Sequence, residues 1–223
     1  DRETTDPPGG RLLRRPDGGL TGGLVDRAME PVLAAVGSPG SSRMRGLLKR
    51  AMAKVVASGL TGVHDMGIPP QAVAIYDELA ARGELIVRVY GFLDGEDPEA
   101  REWTAERPLI EGHGGLLTVR GVKLFADGAL GSRGASLLGD YSDLPGHRGT
   151  LFFGPGELFQ RCLDFASAGY QVAVHAIGDR ANRIVLDVFA RLAHTLGSNE
   201  LRPRVEHAQV VSLSDMPRFA EVG

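Results

Sequence analysis

Three side chains that could hold a metal ion lie in or directly after short apolar segments. Lys123 lies in VKLF, His175 follows YQVAV, and His207 follows RVE. If these segments are parallel strands, both histidines lie at carboxyl ends, where α/β barrels carry their catalytic groups. The histidines are about one strand–helix unit apart along the chain, and neutral imidazole is the commonest metal ligand. The pattern therefore predicts that they converge on one metal ion.

Each of these residues also has a structural interpretation. A lone histidine at a strand end is more typical of a hydrogen-bonded structural residue, and it is the second histidine, His207, that favours a metal site. Lys123 is either at a strand edge, with its stem buried and its ammonium in water, or inside a barrel mouth. In the second case it is a base of lowered pKa or a chemically modified lysine. Both interpretations of Lys123 stay open on pattern alone.

Three more polar residues lie close to strand ends. His64 closes LTGVH and is expected to line the same mouth. Asp179 starts a helix, so its default role is to cap that helix, and a substrate-facing role is the alternative. Glu206 precedes His207, and strand alternation is expected to turn it to the other side of the strand unless the strand has already ended. We therefore interpret Glu206 as a supporting or structural residue.

Helices and short apolar strands alternate over residues 59–223. The stretch 181–196 carries its apolar residues on one broad face, as in an amphipathic helix. Strands that alternate with helices indicate a parallel sheet buried on both sides. The strand signals lie at residues 60–64, 85–91, 117–125, 170–175 and 203–207. A closed (β/α)₈ barrel needs eight strands, so five signals predict either an open sheet or a portion of a barrel.

Residues 1–58 form a distinct N-terminal portion in this interpretation. The first 23 residues contain the turn signals DPPGG and PDGG, lack a clear period and are expected to be irregular. A short helix is expected over 24–36. A second helix, capped by Ser41 or Ser42, is expected to lead to the first barrel strand of this chain.

The segment 127–149, DGALGSRGASLLGDYSDLPGHRG, has neither a helical nor a strand period. A loop of this length in a compact domain is more often functional or mobile than a plain connection. Because it follows the strand of Lys123, we expect it to lie over the catalytic face, which makes Asp127 and Arg133 candidates for substrate contact. A phosphate-binding loop is weakly indicated, since GALGSRG lacks the following Lys-Ser/Thr and the dinucleotide glycine spacing.

Composition restricts the partners and the compartment. The 223 residues carry a formal charge of -3, so no basic excess points to nucleic acid or an anionic membrane surface. No apolar run approaches the roughly 20 residues that span a bilayer. The single cysteine, Cys162, excludes an internal disulfide and any Cys-only zinc site. This usage fits a reducing compartment, and we expect a cytoplasmic protein.

Four long segments resemble the amidohydrolase superfamily, and within it the amidohydrolase family 3 branch related to N-substituted formamide deformylases. They are GLTGVHDMG, VKLFADGALGSRGASLLGDYSDLPG, GYQVAVHAIGDRAN and RVEHAQVVSLSDMPRFA. The initial segment DPPGGRLLRRPDGGLTGGLVDRA is similar to the part of that branch before its second barrel strand. The resemblance covers nearly all of the chain in order. It implies an α/β fold, a portion of a metal-dependent (β/α)₈ TIM-type barrel lacking the first strand and the last two strands.

The resemblance also implies roles for the residues at the strand ends. The family's metal ligands are a His-x-His pair on the first strand, a lysine (often carboxylated) on the fourth, a histidine on the fifth and another on the sixth, and an aspartate on the eighth. Lys123, His175 and His207 correspond to the middle three. The His-x-His pair is absent from this sequence, and so is the segment that would hold the aspartate, the family's general base.

The expected activity is hydrolysis of non-peptide carbon–nitrogen bonds in linear amides, N-acyl or N-formyl compounds. Water activated by a divalent metal, with zinc expected, would attack the amide carbon. His64, Asp127, Arg133 and Asp179 are the expected substrate contacts. The alternative is a non-catalytic small-molecule-binding barrel domain that keeps the fold without a complete metal site. As a fragment, the chain is expected to be inactive alone, and its open sheet edges predict oligomerisation, partner segments or poor solubility.

Overall fold

The computed structural model describes residues 2–105 and 108–223, which form eight strands and eight α-helices. The strands are β1 Gly10–Arg14, β2 Leu20–Asp26, β3 Gly62–Ile68, β4 Arg88–Asp94, β5 Leu109–Glu111, β6 Leu117–Phe125, β7 Gln171–Ala176 and β8 Arg204–His207. The helices are α1 Glu30–Val36, α2 Ser41–Ala57, α3 Pro70–Ala81, α4 Pro98–Trp103, α5 Gly112–Gly115, α6 Pro155–Ser167, α7 Asp179–Leu196 and α8 Met216–Glu221, and a 3₁₀ turn at Arg27–Met29 precedes α1.

A curled parallel sheet in the order β3-β4-β6-β7-β8 organises the chain, and β5 pairs antiparallel with β6. All five predicted strand signals correspond to strands of this parallel sheet, with boundaries shifted by a few residues. The expected α/β class is therefore confirmed, and the sheet with its helices forms about half of a barrel. No helix in the described ranges is long and apolar enough to cross a membrane.

The core lies between this sheet and the helices on its convex side. Helix α7 buries Val185, Leu186, Val188, Phe189 and Leu192, which recur at helical spacing. The strands contribute residues that are fully or almost fully buried, among them the β6 residues Val122 and Leu124 and the β7 residues Val172 and Val174. Burying one such side chain stabilises a fold by about 1.5 to 3 kcal/mol. This packing holds the three neighbouring strands β6, β7 and β8 in register, and with them the residues at their carboxyl ends.

The N-terminal portion differs from the irregular segment that the sequence predicts. Strands β1 and β2 form an antiparallel hairpin, whose turn is closed by hydrogen bonds from the Arg15 N–H to the Gly19 carbonyl and from the Gly18 N–H to the Arg15 carbonyl. PDGG is indeed a turn, but its flanking strands carry charged and glycine residues in place of the alternating apolar pattern that marks a strand.

The helices of the N-terminal portion also begin later than predicted or without the predicted cap. The predicted helix over 24–36 is wrong in its first residues, because β2 continues to Asp26 and α1 starts at Glu30. The predicted serine cap of α2 is wrong as well, since Gly40 is the N-cap residue and no side chain caps the helix.

Candidate metal centre

The carboxyl-terminal halves of β6, β7 and β8 bring Lys123, His175 and His207 to one region of the sheet. Phe125 pairs with His175 between β6 and β7. The imidazole rings of His175 and His207 have centroids 4.6 Å apart and an interplanar angle of 72°. The three residues thus lie on adjacent parallel strands, as the sequence predicts, while their role as metal ligands stays a prediction.

His207 reaches this region because the backbone turns sharply where β8 ends. Its φ is 76° and that of Ala208 is 43°, values that residues other than glycine adopt rarely. Glu206 is the register partner of His175, and its charge acts on the pKa of Lys123. The expectation that Glu206 faces away from the site is therefore wrong. Strand alternation fails as a guide here because His207 no longer has strand geometry.

Lys123 has its ammonium group inside the protein, with only 4% of the residue exposed. Its Nζ donates a hydrogen bond to the Leu124 carbonyl at 2.9 Å and lies 3.3 Å from the centroid of the Phe125 ring. Burial lowers the pKa of Lys123 to about 8, against the opposing charges of Glu206 and Asp94. Of the two interpretations of Lys123, the structure supports the lysine of lowered pKa inside the mouth. An amine of this kind is partly unprotonated near neutral pH, as formation of a carbamate requires.

His175 is held as a neutral imidazole. Burial, followed by the positive charge of Lys123, lowers the pKa of His175 to about 4, although a hydrogen bond to the Gly128 carbonyl opposes this shift. Its Nε2 lies 3.4 Å from that carbonyl oxygen and 3.5 Å from Oδ1 of Asp127. When Nε2 carries the proton towards these oxygens, Nδ1 keeps a free lone pair. A metal-binding histidine usually has such an oxygen partner on its second ring nitrogen, so this geometry fits a metal ligand.

Asp127, predicted to contact substrate, lies fully buried beneath the site. Its carboxylate accepts hydrogen bonds from the backbone N–H groups of Ile177, Gly178 and Ser136, at 2.9, 2.9 and 2.8 Å. Burial raises the pKa of Asp127, and the three N–H donors oppose that shift. The carboxylate therefore joins the long loop to the turn that follows β7, and it positions His175.

Arg133 and Asp179 hold the loop in place. Arg133 forms an ion pair with the exposed Asp143, and it does not line the cavity that contains His175. Asp179 accepts a hydrogen bond from the Leu138 N–H at 2.8 Å, while Gly178 occupies the N-cap position of α7. The predicted capping role of Asp179 is therefore wrong, and its carboxylate is directed to the loop.

His64 does not lie at the mouth. It is the third residue of β3, which continues to Ile68, so the predicted strand ended too early. Its Nδ1 lies 2.9 Å from Nη1 of Arg204, the first residue of β8, and its ring centroid lies 5.1 Å from that of Tyr90. By strand register His64 is level with Tyr90 of β4 and Thr118 of β6, which comes before Lys123 along its strand.

An open cavity of about 450 Å³ lies at the mouth and is lined by His175 and Asp127. Sequence reasoning missed most of its other walls, which are Asp26, Arg27, Met29, Glu30, Leu33, Asp94, Glu96, Phe125 and Phe152. The rule that picked out the histidines would have found Asp94, since it closes β4 and pairs with Lys123. Asp26 and Arg27 come from the hairpin and had no comparable signal.

The donors of the site fit one metal ion better than two. Within residues 2–105 and 108–223, no three His, Cys, Asp or Glu side chains are arranged to hold a metal ion. A third donor beside His175 and His207 would therefore come from Lys123, whose buried amine of lowered pKa suits carboxylation. Two imidazoles and one anionic oxygen make up the three protein ligands that a catalytic zinc site usually has.

Comparison with known proteins gives a consistent set of relatives. The family model described as amidohydrolase family matches residues 1–223. The chain is 32% identical to Protein LONG AFTER FAR-RED 3 of Arabidopsis thaliana, over 98% of the chain and 39% of that protein. It is 31% identical to amidohydrolase YtcJ of Bacillus subtilis (strain 168), over 99% of the chain and 41% of that protein. It is 26% identical to the N-substituted formamide deformylase of Arthrobacter pascens, over 99% of the chain and 42% of that protein.

Two solved structures have the same fold. An uncharacterized metal-dependent hydrolase from Pyrococcus horikoshii OT3 matches 95% of the chain with a TM-score of 0.77 and 29% identity, which is 42% of that protein. A second one, from Pyrococcus furiosus, matches 90% of the chain with a TM-score of 0.75 and 29% identity, which is 41% of that protein. The chain thus spans about two fifths of the length of the relatives it matches.

Proposed function

Since this chain belongs to the amidohydrolase family, we propose that it carries half of the active site of a metal-dependent hydrolase of non-peptide carbon–nitrogen bonds. Linear amides, N-acyl compounds and N-formyl compounds are the proposed substrates, and zinc is the proposed ion. The observation that supports the proposal is the close approach of the His175 and His207 rings, on strands adjacent to the one that carries Lys123, with His175 lining an open cavity. A relative named as a formamide deformylase supports the choice of bond.

The residues of the chain have separate tasks in this proposal. His175 and His207 would hold the ion through neutral ring nitrogens, and Lys123 would do so through an oxygen of its carbamate. A bound zinc ion supplies Lewis-acid activation of water and of the scissile carbonyl. Asp127 fixes the turn that carries His175 by accepting three backbone hydrogen bonds. Phe125 and Leu124 shield the amine of Lys123 from water.

Catalysis by the 223 residues alone is proposed to be negligible. The described residues offer three protein donors at most, and no aspartate in them has been assigned as proton acceptor for the attacking water. General-base assistance is typically worth about 10² to 10⁴-fold in rate. A longer protein that contains this chain is therefore the form in which we expect hydrolysis.

The test combines metal analysis with an amide-hydrolysis assay on that longer protein. We expect about one or two equivalents of zinc and release of amine from N-formyl or N-acyl substrates, both lost after treatment with a chelator. Hydrolysis by a metal-free preparation would overturn the proposal. Metal binding without hydrolysis of any such amide would favour the small-molecule-binding domain instead.

Replacement of Lys123 by methionine is expected to raise stability while abolishing carbamate formation. The ammonium is buried at a cost, and methionine fills a similar volume without a charge. We expect the free energy of unfolding at pH 7 to rise by about 1 to 3 kcal/mol, measured by urea denaturation.

The pH dependence provides the control for this prediction. The pKa of Lys123 is about 8 in the folded chain, whereas the ordinary pKa of a lysine in water is 10.5. Between these values the unfolded chain binds the proton and the folded chain does not, so wild-type stability rises with pH. The advantage of Lys123→Met should therefore shrink from pH 8 towards pH 10.5. A constant difference, or a less stable variant, would contradict the assigned burial cost.

A further inference from the structure

Asp26 ends the hairpin in a backbone conformation that favours glycine. It has a φ of 52° and a ψ of −127°, and although it precedes the 3₁₀ turn its side chain makes no capping hydrogen bond. Such conformations are costly for residues with a side chain, and they persist where the surrounding structure fixes them, often at ligand-binding positions. A glycine would meet the local backbone requirement more easily. The local backbone therefore does not explain why an aspartate occupies this position.

Two glycines of the loop make the space that this carboxylate occupies. A Cβ atom added at Gly128 would lie 2.7 Å from Oδ2 of Asp26, and one added at Gly134 would lie 2.4 Å from the same oxygen. Any larger residue at either position would displace Asp26. The glycines of the GALGSRG motif thus leave space for one carboxylate at the edge of the site.

Asp26 also differs from the other cavity carboxylates in its lack of a hydrogen-bonded or ion-paired partner among the described residues. Asp127 receives three backbone N–H groups, and Glu96 pairs with Arg27 at 3.2 Å. Asp94 accepts the Glu96 N–H and is the strand partner of Lys123. In the described ranges, the half-buried Asp26 carboxylate has no hydrogen bond and no ion pair, and Arg11 acts on it only through its charge.

The walls next to Asp26 are apolar. Met29 of the 3₁₀ turn and Leu33 of α1 line the cavity while 46% and 62% exposed, and Phe152 lines it as well. An apolar surface of this kind suits the methylene chain of a small molecule. The cavity therefore offers an apolar wall that leads to a carboxylate without a hydrogen-bonded partner among the described residues.

We propose that Asp26 determines substrate specificity by binding a cationic group, so that the substrates are amides that also carry a protonated amine. The inference rests on the proposed function for the hydrolysed bond, and on Asp26 alone for the cation. A charge-assisted hydrogen bond between ammonium and carboxylate is the interaction that the unpartnered Asp26 lacks. The methylene chain between the amide and the ammonium would lie against Met29, Leu33 and Phe152.

The test compares two probes of the same length that differ in charge, N-acetyl-1,5-diaminopentane and N-hexylacetamide. Binding to the metal-free 223-residue chain is measured by calorimetry or by NMR titration. We expect the cationic probe to bind about tenfold more tightly, the factor that corresponds to about 1.4 kcal/mol. Asp26→Asn should remove the difference and Asp143→Asn should keep it, because Asp143 is exposed on the loop 127–149 and lies outside the cavity.

A second variant separates recognition from a structural role. Asp26→Gly should lose the preference for the cation and also melt about 2 to 4 °C higher, because glycine relieves the strained φ. Equal binding of the two probes, including no detectable binding of either, would overturn the inference, as would a lower melting temperature of Asp26→Gly. These outcomes are independent of metal, so the inference can fail while zinc-dependent hydrolysis is found, and it can hold while hydrolysis is absent.

Discussion

Replacing His175 or His207 by alanine is expected to lower the affinity for zinc by at least about 100-fold. Loss of a hydrogen-bond partner of a metal ligand already costs 10 to 100-fold, and loss of the ligand itself should cost more. The two rings are 4.6 Å apart and the third donor needs a modified lysine, so the remaining groups cannot replace a lost imidazole. Competition with a chromophoric chelator measures the affinity directly, in this chain and in a longer protein that contains it.

His194→Ala is the matched control, because His194 is exposed on α7 and lies away from the strand ends. It should leave zinc affinity unchanged. In the longer protein, the variants at His175 and His207 should also lose amide hydrolysis. If either of them keeps wild-type zinc affinity, that residue is not a ligand and the assignment of the centre is wrong.

Asp127→Ala is expected to lower the free energy of unfolding by about 3 kcal/mol or more, since each unpaired buried donor costs about 1 to 3 kcal/mol. The change would leave the N–H groups of Ser136, Ile177 and Gly178 without their acceptor. Asp127→Asn keeps one acceptor oxygen and turns an amide group towards an N–H donor, so its loss should be smaller but clear. Urea denaturation, followed by circular dichroism, measures both variants.

Asp140→Ala provides the comparison for this prediction. Asp140 lies on the same loop, accepts a hydrogen bond from the Gly146 N–H and forms an ion pair with Arg148, but it is exposed. Its replacement should change stability far less than that of Asp127. Equal effects of the two replacements would show that the loop is not anchored through Asp127. The sequence alone had suggested substrate contact for this residue.

The sequence predicts the parallel sheet well because its strands are short apolar segments separated by amphipathic helices. Lys123 could be placed for the same reason, since it belongs to the apolar segment VKLF, whereas His207 could be placed by its spacing of about one strand–helix unit after His175. The hairpin could not be predicted in this way. Its strands are half-exposed and polar, and the pairing of β1 with β2 satisfies the backbone without an apolar period.

Other misplaced residues have different physical causes. The polar residues of β3 face a concave surface, and a polar residue after an apolar one resembles the end of a strand. The sequence pattern therefore indicated a strand end at His64, which is an interior residue of β3. Asp179 binds a backbone N–H group 41 residues away, and the nearest backbone group that Asp127 binds is 9 residues away. Such long-range hydrogen bonds leave no local signature in the sequence. The cavity wall formed by Asp26 follows from the hairpin and the glycines of a distant loop, so it becomes visible only in three dimensions.

The hydrogen bond between His64 and Arg204 has a mechanical consequence for the whole sheet. It connects β3 to β8, the first and last strands of the parallel order, across the concave face. Arg204 also bridges to Glu206 on its own strand, with its Nε 2.8 Å from Oε1. This contact thus opposes separation of the two edge strands of the parallel sheet.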